Sequence, residues 1–348
     1  MPNLTLTAQS GTSPVSPWAG VRRALRPFQR FVQQVGVAAL TMLGVSVLIF
    51  AAVRAMPGSY TDLVLGPLAT PEAKEAAAEK FGLDGPVVEQ YGHWLLNSVQ
   101  GDFGTSLASG TPVGQELSVR LPVTVLLTAL ALVFILLIGI PLGVLTGIRS
   151  AGSGGGGIVG RLVSSLGMSV PEFVLGTLVL FLFTRYSLGL TVGVYVPWSQ
   201  DPVGSVTSML LPAAVLSVFC VAVTARTTRD AVMGVLVEPH VAAAVARGES
   251  KGFIVRHHIL RNASIPVLTL VGTLTAYLLG GTVIVERLFN LPGLGSYLVD
   301  GLDRRDYAIV QAGVLLAAAV FIVMNLLVDL VSAVIDPRID TAAGKDGA

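Results

Sequence analysis

Apolar residues in this chain gather into long blocks, not into the stripes of period two or 3.6 that line a water-soluble core. A helix crossing a hydrocarbon layer of roughly 30 Å needs about 20 apolar residues. Six blocks meet that length: Phe31–Val53, Leu121–Ile148, Leu162–Tyr186, Met209–Met233, Ile265–Val285 and Ile309–Ile335. The pattern predicts an all-α integral membrane protein with six transmembrane helices. Within the second block Gly139, Gly143 and Gly147 recur at every fourth position around Pro141. That spacing puts positions without side chains on one face and predicts the close approach of a neighbouring helix.

The segments between the blocks set the domain plan. Residues 1–20 are rich in Ser, Thr, Pro and Gly, cannot bury enough apolar surface to fold alone, and read as a disordered cytoplasmic tail. Residues 21–53 form the first transmembrane helix. Arg22, Arg23, Arg26 and Arg30 precede it as in a signal peptide, but the apolar run is too long and no small-x-small cleavage site follows, so it reads as an uncleaved start-transfer helix. Residues 54–120 are too long for a simple connection and hold a helix-like stretch, Pro71 to Phe81, closed by Gly82, which predicts a small folded cap. Residues 121–335 make a core of five helices interrupted by a polar-flanked segment at 234–258, and 336–348 form a C-terminal tail. With both ends inside the cell, 14 of the 22 Lys and Arg fall in cytoplasmic segments, while Asp62, Glu72, Glu75, Glu79, Asp84, Glu89, Asp102 and Glu116 crowd the opposite loop. A multi-pass protein with cytoplasmic N- and C-termini follows.

Composition narrows the function classes. Apolar residues make up 53% of the chain and charged residues 12%, with a net charge of +1, so no basic field exists to recruit nucleic acid. Cys220 is the single cysteine, which excludes an internal disulfide framework and a cysteine-based metal site. His93, His240, His257 and His258 lack the i, i+4 spacing of a helical metal site. The glycines at 152 and 154–157 lack the lysine and hydroxyl of a phosphate loop, and GDFG at 101–104 stands outside any nucleotide-binding framework, so both read as turns. No nucleophile, base and orienting acid converge in the pattern, which argues against an intramembrane hydrolase.

Between the fourth and fifth blocks, Glu238 and Pro239 are suited to start a helix, an acid and a proline both being favoured there. Val241 to Arg247 would form one short helix, and Gly248 would end it through a left-handed backbone. Ala242, Ala243 and Ala244 keep that helix narrow enough to seat in a partner's groove. This stretch resembles the coupling segment of binding-protein-dependent ABC permeases, in which two small residues, a glycine and a later proline form the signature; here Ala243, Ala244, Gly248 and Pro266 match. The signature's acidic position falls on Ala242, a departure that removes any claim for a coupling carboxylate. Strings along the rest of the chain resemble the B-type permease subunit of dipeptide, oligopeptide and nickel importers. They are MPG at 56–58, FGLDGP at 81–86, QYGHWL at 90–95, GDFG with Ser106, RLPVT at 120–124, VERLFNLPGLG at 285–295, RDYAIVQ at 305–311, NLLVDL at 325–330 and DPRI at 336–339. Ser59 departs from the acid usual after that MPG.

The resemblance implies a type I ABC importer permease fold with a small extracytoplasmic cap, set in a bacterial inner membrane. It implies a second homologous permease subunit, two ATP-binding subunits carrying ATP and magnesium, and an extracytoplasmic substrate-binding protein. No cofactor and no ATP chemistry are expected on this chain. The expected cargo is a di- or oligopeptide, with nickel chelate, opine or another small polar solute as the alternative. An ion-driven secondary transporter is the alternative of a different class, and would require inverted repeats and midplane ion ligands. Polar residues inside the blocks complete the candidates. Glu172, after Pro171, would line the pathway and meet a peptide's amino terminus, or else pair with a neighbouring helix or backbone. Glu286 and Arg287 close the fifth block, either shaping an outer gate or forming a solvated helix end, and Asn325 and Asp329 share a helix face on which both can bond one neighbour in a structural role.

Overall fold

The computed structural model describes residues 19–55, 69–73, 76, 85–106, 108–151, 156–186 and 193–335; within these, the side chains of 19–31, 151, 156–161, 163, 265 and 328–335 are not described. Residues 1–18 of the expected disordered tail, most of the Pro71–Phe81 stretch and the C-terminal tail lie outside these residues, though 71–73 and 76 are helical. The chain divides into two compact units, Met1–Gly44 and Val45–Ala348.

The apolar blocks become helices because only a helix satisfies its own backbone polar groups inside a bilayer. Helix α1 is Ala19–Ala55 and starts inside the expected tail. Then follow α2 (Val87–Val99), α3 (Val113–Phe134), α4 (Ile140–Ala151), α5 (Gly156–Ser169) and α6 (Glu172–Tyr186). The series continues with α7 (Pro202–Leu236), α8 (Pro239–Ala246), α9 (Lys251–Phe253), α10 (Leu260–Leu288), α11 (Leu294–Asp303) and α12 (Tyr307–Ile335). Wide-turn π-helical stretches at Ile135–Gly139 and Ile254–Ile259 join α3 to α4 and α9 to α10. The first ends two residues before Pro141, whose ring would clash with the carbonyl at 137 in a regular helix; the wider turn relieves that clash and lets the helix continue.

Among the described residues five helical spans are long and apolar enough to cross a membrane: 32–55, 113–150, 202–236, 266–288 and 307–327. The third predicted block is not one helix. It is broken at Val170 and Pro171 into α5 and α6, of 14 and 15 residues. Proline cannot donate to the ladder and biases the preceding residue away from helix, which ends α5 there. The halves nonetheless run in sequence along α7: a Cβ at Gly167 would meet Ala222, and one at Gly176 would meet Val215.

Helix α7 is central. Asp201 caps it by accepting from the Val203 amide at 3.0 Å, with Pro202 at its first position. Met209, Ala213, Leu216 and Cys220 pack with Val123, Leu127 and Ala131 of α3 and with Leu274 and Leu278 of α10. The glycine series also meets α7. A Cβ at Gly139 would lie 3.1 Å from the Thr224 Cβ, one at Gly143 2.4 Å from the Thr228 Cβ, and one at Gly147 2.9 Å from the Val232 Cβ. Backbones this close gain dispersion contacts, the main attraction available where lipid offers no hydrophobic penalty.

Polar elements collect at opposite ends of this bundle. One end holds α8 and its turn, packed on Val144 and Ile148 of α4 and on Val232 and Val235 of α7. The other holds Phe103, Leu294 and Tyr297 in one cluster with Val113 and Leu117. There Phe50 of α1 meets Tyr91 and Trp94 of α2 at ring distances of 5.4 and 5.5 Å, and Ser46 bonds the Tyr91 hydroxyl at 2.8 Å.

Candidate functional site

Helix α8 runs Pro239–Ala246 with Pro239 at its first position, starting two residues before and ending one residue before the expected Val241–Arg247 helix. Glu238 occupies the N-cap without a side-chain cap bond; its carboxylate instead meets His240 Nδ1 at 3.0 Å. Gly248 closes the helix at φ 77°, with its amide bonded to the Val245 carbonyl and the Glu249 amide to the Ala244 carbonyl. This paired bonding is the Schellman arrangement, which needs a left-handed residue after the cap. Ser250 then caps α9 through the Phe253 amide, so the chain re-enters helix at once and leads into α10.

The two sides of α8 differ in use. Val241 and Ala244 are buried against Val232, Val235, Ile254, Ile259 and Ala263. Ala242, Ala243 and Ala246 are exposed, and they continue into Val237 and Val245, which are 84% and 62% exposed. The three alanines singled out by sequence therefore divide: two face outward, and Ala244 fastens the helix to its own bundle. Charged groups flank this apolar face. Glu249 accepts from Arg247 Nη2 at 2.7 Å and meets His258 Nε2 at 2.9 Å. The Arg247 guanidinium, chiefly, and His258 hold the Glu249 carboxyl below its ordinary range. Phe253 stacks on His257 at 4.1 Å, and among the described residues no three His, Cys, Asp or Glu cluster as for a metal.

Glu286 is not a solvated helix end. It is fully buried, accepting from Thr124 Oγ1 at 2.6 Å and from the Ser296 amide at 2.9 Å, while Thr124 Oγ1 accepts from the Leu294 amide at 2.8 Å. The carboxylate thereby ties α3, α10 and the start of α11. Cβ atoms at Gly293 and Gly295 would come within 2.2 Å and 3.0 Å of it, so the glycines of the LPGLG string make room for this group. Its neighbour Arg287 is half-exposed and bridges to Asp300 and Asp303 of α11.

Sequence reasoning missed a second buried carboxylate at this end, Asp306, which accepts from Ser106 Oγ at 2.7 Å and the Ala108 amide at 3.1 Å. The strings containing Ser106 and Asp306 were visible, but nothing in either pointed to the other across 200 residues. Nearby, Arg120 lies over the Tyr297 ring at 4.4 Å and pairs with Glu116 at 3.0 Å. Burial, with Glu116 adding to it, pushes the Tyr297 phenol up to about 12.

Glu172 begins α6, half-buried, with Oε1 3.3 Å from the Tyr277 hydroxyl of α10. Asn325 donates to the Phe321 carbonyl of its own helix at 3.0 Å, not to a neighbouring helix, and the Asp329 side chain lies outside the described residues.

Residues 139–341 match the family model described as the inner membrane component of binding-protein-dependent transport systems, and residues 28–128 match the N-terminal model of such membrane components. A Sinorhizobium fredii protein named a probable peptide ABC transporter permease is 37% identical over 306 residues, covering 87% of this chain and 96% of its own. The glutathione transport system permease GsiC of Salmonella choleraesuis is 38% identical over 302 residues, 86% of this chain and 94% of that one. Its counterpart in Escherichia coli K12 is 37% identical over the same length.

Proposed function

The chain belongs to the family of binding-protein-dependent transport system inner membrane components, a multi-pass inner-membrane permease, and on that premise we propose that it forms half the pore of an ATP-driven importer of short peptides. The relatives named for peptide and glutathione transport support the cargo class. The observation that carries the mechanism is the geometry of α8. It is a short helix with an apolar outer face of Ala242, Ala243 and Ala246, an inner face locked to the bundle, and direct continuity with α7 and α10. Such a helix has no slack on either side. When an ATPase that seats it moves, α7 and α10 move with it as rigid bodies.

In this reading two ATP-binding subunits hold ATP and magnesium, a second permease completes the pore, and an external binding protein delivers cargo. The α8 end faces the cytoplasm, and the end built from α2 and α11 faces outward. Glu286 serves the outer end as a hydrogen-bonded strut that keeps α11 in register with α3 and α10, and Asp306 ties the turn at Ser106 to the start of α12. The small residues at 242 and 243 matter because any longer side chain would stand between helix and groove.

The test is affinity purification of the chain from its host in mild detergent, followed by reconstitution into liposomes with a purified binding protein and labelled di- to hexapeptides. Recovery of a second permease and two ATPases, with uptake that requires internal ATP, is the expected outcome. A chain that purifies alone and transports down an ion gradient without ATP overturns the proposal in favour of secondary transport. Assembly with ATP-dependent uptake of a nickel chelate or opine, and of no peptide, overturns the cargo class alone.

A further inference from the structure

The membrane-spanning part of α10 has an exposed face unlike that of α12. Along 307–327 the exposed side chains are Phe321, Val323 and Leu327, as suits a helix against lipid. Along 266–288 they include Thr269, Thr273, Tyr277 and Gly280, spaced four, four and three residues apart and so on one side of the helix. Thr273 satisfies its hydroxyl on the Thr269 carbonyl of its own helix at 3.2 Å, so the cost of facing hydrocarbon falls on the carboxylate that Tyr277 holds, and that part of the stripe belongs against water or protein. Tyr277 is the middle residue of the 23-residue span.

A carboxylate reaches this stripe from the proline break in the third span. Glu172 meets the Tyr277 hydroxyl through Oε1, and the absence of a side chain at Gly281 makes space for Oε2, which would lie 3.1 Å from a Cβ there. Among the described residues no cation pairs with Glu172. The Phe219 ring lies 5.2 Å from that of Tyr277 and steadies it. An acid at this depth stays neutral unless water or a cation reaches it, and Glu172 is only half-buried, beside the exposed Tyr277.

We infer that Glu172 and Tyr277 form a charge station midway along the translocation path, where the carboxylate receives the protonated amino group of the passing cargo. The inference rests on the peptide-import reading, since short peptides carry such a group. The carboxylate offers one charge-assisted hydrogen bond, and the tyrosine hydroxyl fixes its direction. A single such contact attracts an ammonium group into the pore without trapping it, as transit demands.

Glu172→Gln keeps an acceptor for Tyr277 and removes the charge. In the reconstituted complex it is expected to leave assembly and thermal unfolding unchanged while lowering uptake of free-amine peptides on the order of tenfold, with no further loss for N-acetylated peptides. Tyr277→Phe is expected to give a smaller loss of the same selectivity. Equal uptake by Glu172→Gln and wild type overturns the inference, as does a fall in unfolding temperature that accounts for the loss. Independently of cargo, a cationic thiol reagent added to the assembled Glu172→Cys complex is expected to react at that position, the native Cys220 being buried. An unreactive cysteine means that the second permease or lipid covers the face, and overturns the inference. If the wild-type complex imports no peptide, the cargo reading fails by itself, while labelling at position 172 still decides whether the carboxylate meets an aqueous path.

Discussion

Single residues here act through backbone geometry and buried hydrogen bonds. A Cβ at Gly248 would meet nothing within 4 Å, so its requirement is purely conformational: at φ 77° any other residue is strained. Gly248→Ala should cost about 1–2 kcal/mol at this turn and Gly248→Val more. We expect both variants to insert normally and the valine variant to lose ATP-driven uptake; normal uptake by it would sink the coupling role of the turn. Glu286 is the opposite case, set by partners and not by dihedral angles. Glu286→Ala strands the Thr124 hydroxyl and the Ser296 amide in a dry site and should lower stability by about 3 kcal/mol. Glu286→Gln retains one acceptor and fits the same space, so it should cost less, and thermal unfolding in detergent measures both. Glu249 gives a pH dependence whose sign is fixed by its environment. Its carboxyl is depressed chiefly by the Arg247 hydrogen bond, so its contribution to the turn is complete above the ordinary carboxylate pKa of about 4.3 and fades as pH falls through the lower folded-state value. Hydrogen-exchange protection after α8 should therefore be higher in wild type than in Glu249→Gln at neutral pH, and the difference should vanish in strong acid.

At the scale of elements, the glycine ladder that runs from the end of the π-helical stretch into α4 and the two-sided α8 make separable demands. Gly143→Ala would put a methyl group 2.4 Å from the Thr228 Cβ and about as close to the Ala225 carbonyl, so the helices must part, at about 1–3 kcal/mol. On α8, Ala244→Leu overfills a fully buried site and should destabilise the chain itself, whereas Ala243→Arg alters an exposed face and should leave unfolding unchanged while releasing the ATPases during purification. Retention of both ATPases by Ala243→Arg would show that the outer face is not a docking surface. The elements were largely legible in the sequence because a span must be long, apolar and continuous, and because proline before and glycine after an alanine run leave α8 little choice. The break at Pro171 was not legible from block length, since an apolar count does not register a lost hydrogen bond. Glu286 was misjudged for a related reason. Sequence places it at the end of a span but cannot show that Thr124, 162 residues earlier, arrives to bond it. The packing role of Gly139, Gly143 and Gly147 needed only their spacing, which is why it was readable.

At the scale of the whole molecule, function requires the two polar ends to lie on opposite sides of the membrane in one sense only. The strongest sequence argument is the Lys and Arg asymmetry, with 14 of 22 in the segments expected to be cytoplasmic when both ends of the chain are inside. The mechanical argument agrees: a docking helix with an apolar outer face is useful only where ATP is made available, and the bonded cap of α2, Ser106 and Asp306 suits the side where a binding protein arrives. Charge bias is a kinetic rule of insertion, while the docking argument concerns the finished machine, so the two are independent and can be tested at once. Leu96 on α2 and Val237 beside α8 are 61% and 84% exposed, and the native Cys220 is buried, so single cysteines at 96 and 237 report without background. In intact cells a membrane-impermeant thiol reagent should label Leu96→Cys and spare Val237→Cys, with Val237→Cys reacting only after the membrane is opened. The reverse pattern would put α8 outside, where no ATPase can reach it, and would remove the mechanical basis of the importer while leaving the helical fold intact. Labelling of both in intact cells would mean that the two ends share one side and that the broken α5–α6 segment does not cross between the spans at 113–150 and 202–236. Only the first pattern is compatible with a chain in which α7 and α10 carry force from a cytoplasmic seat to a path lined by Tyr277.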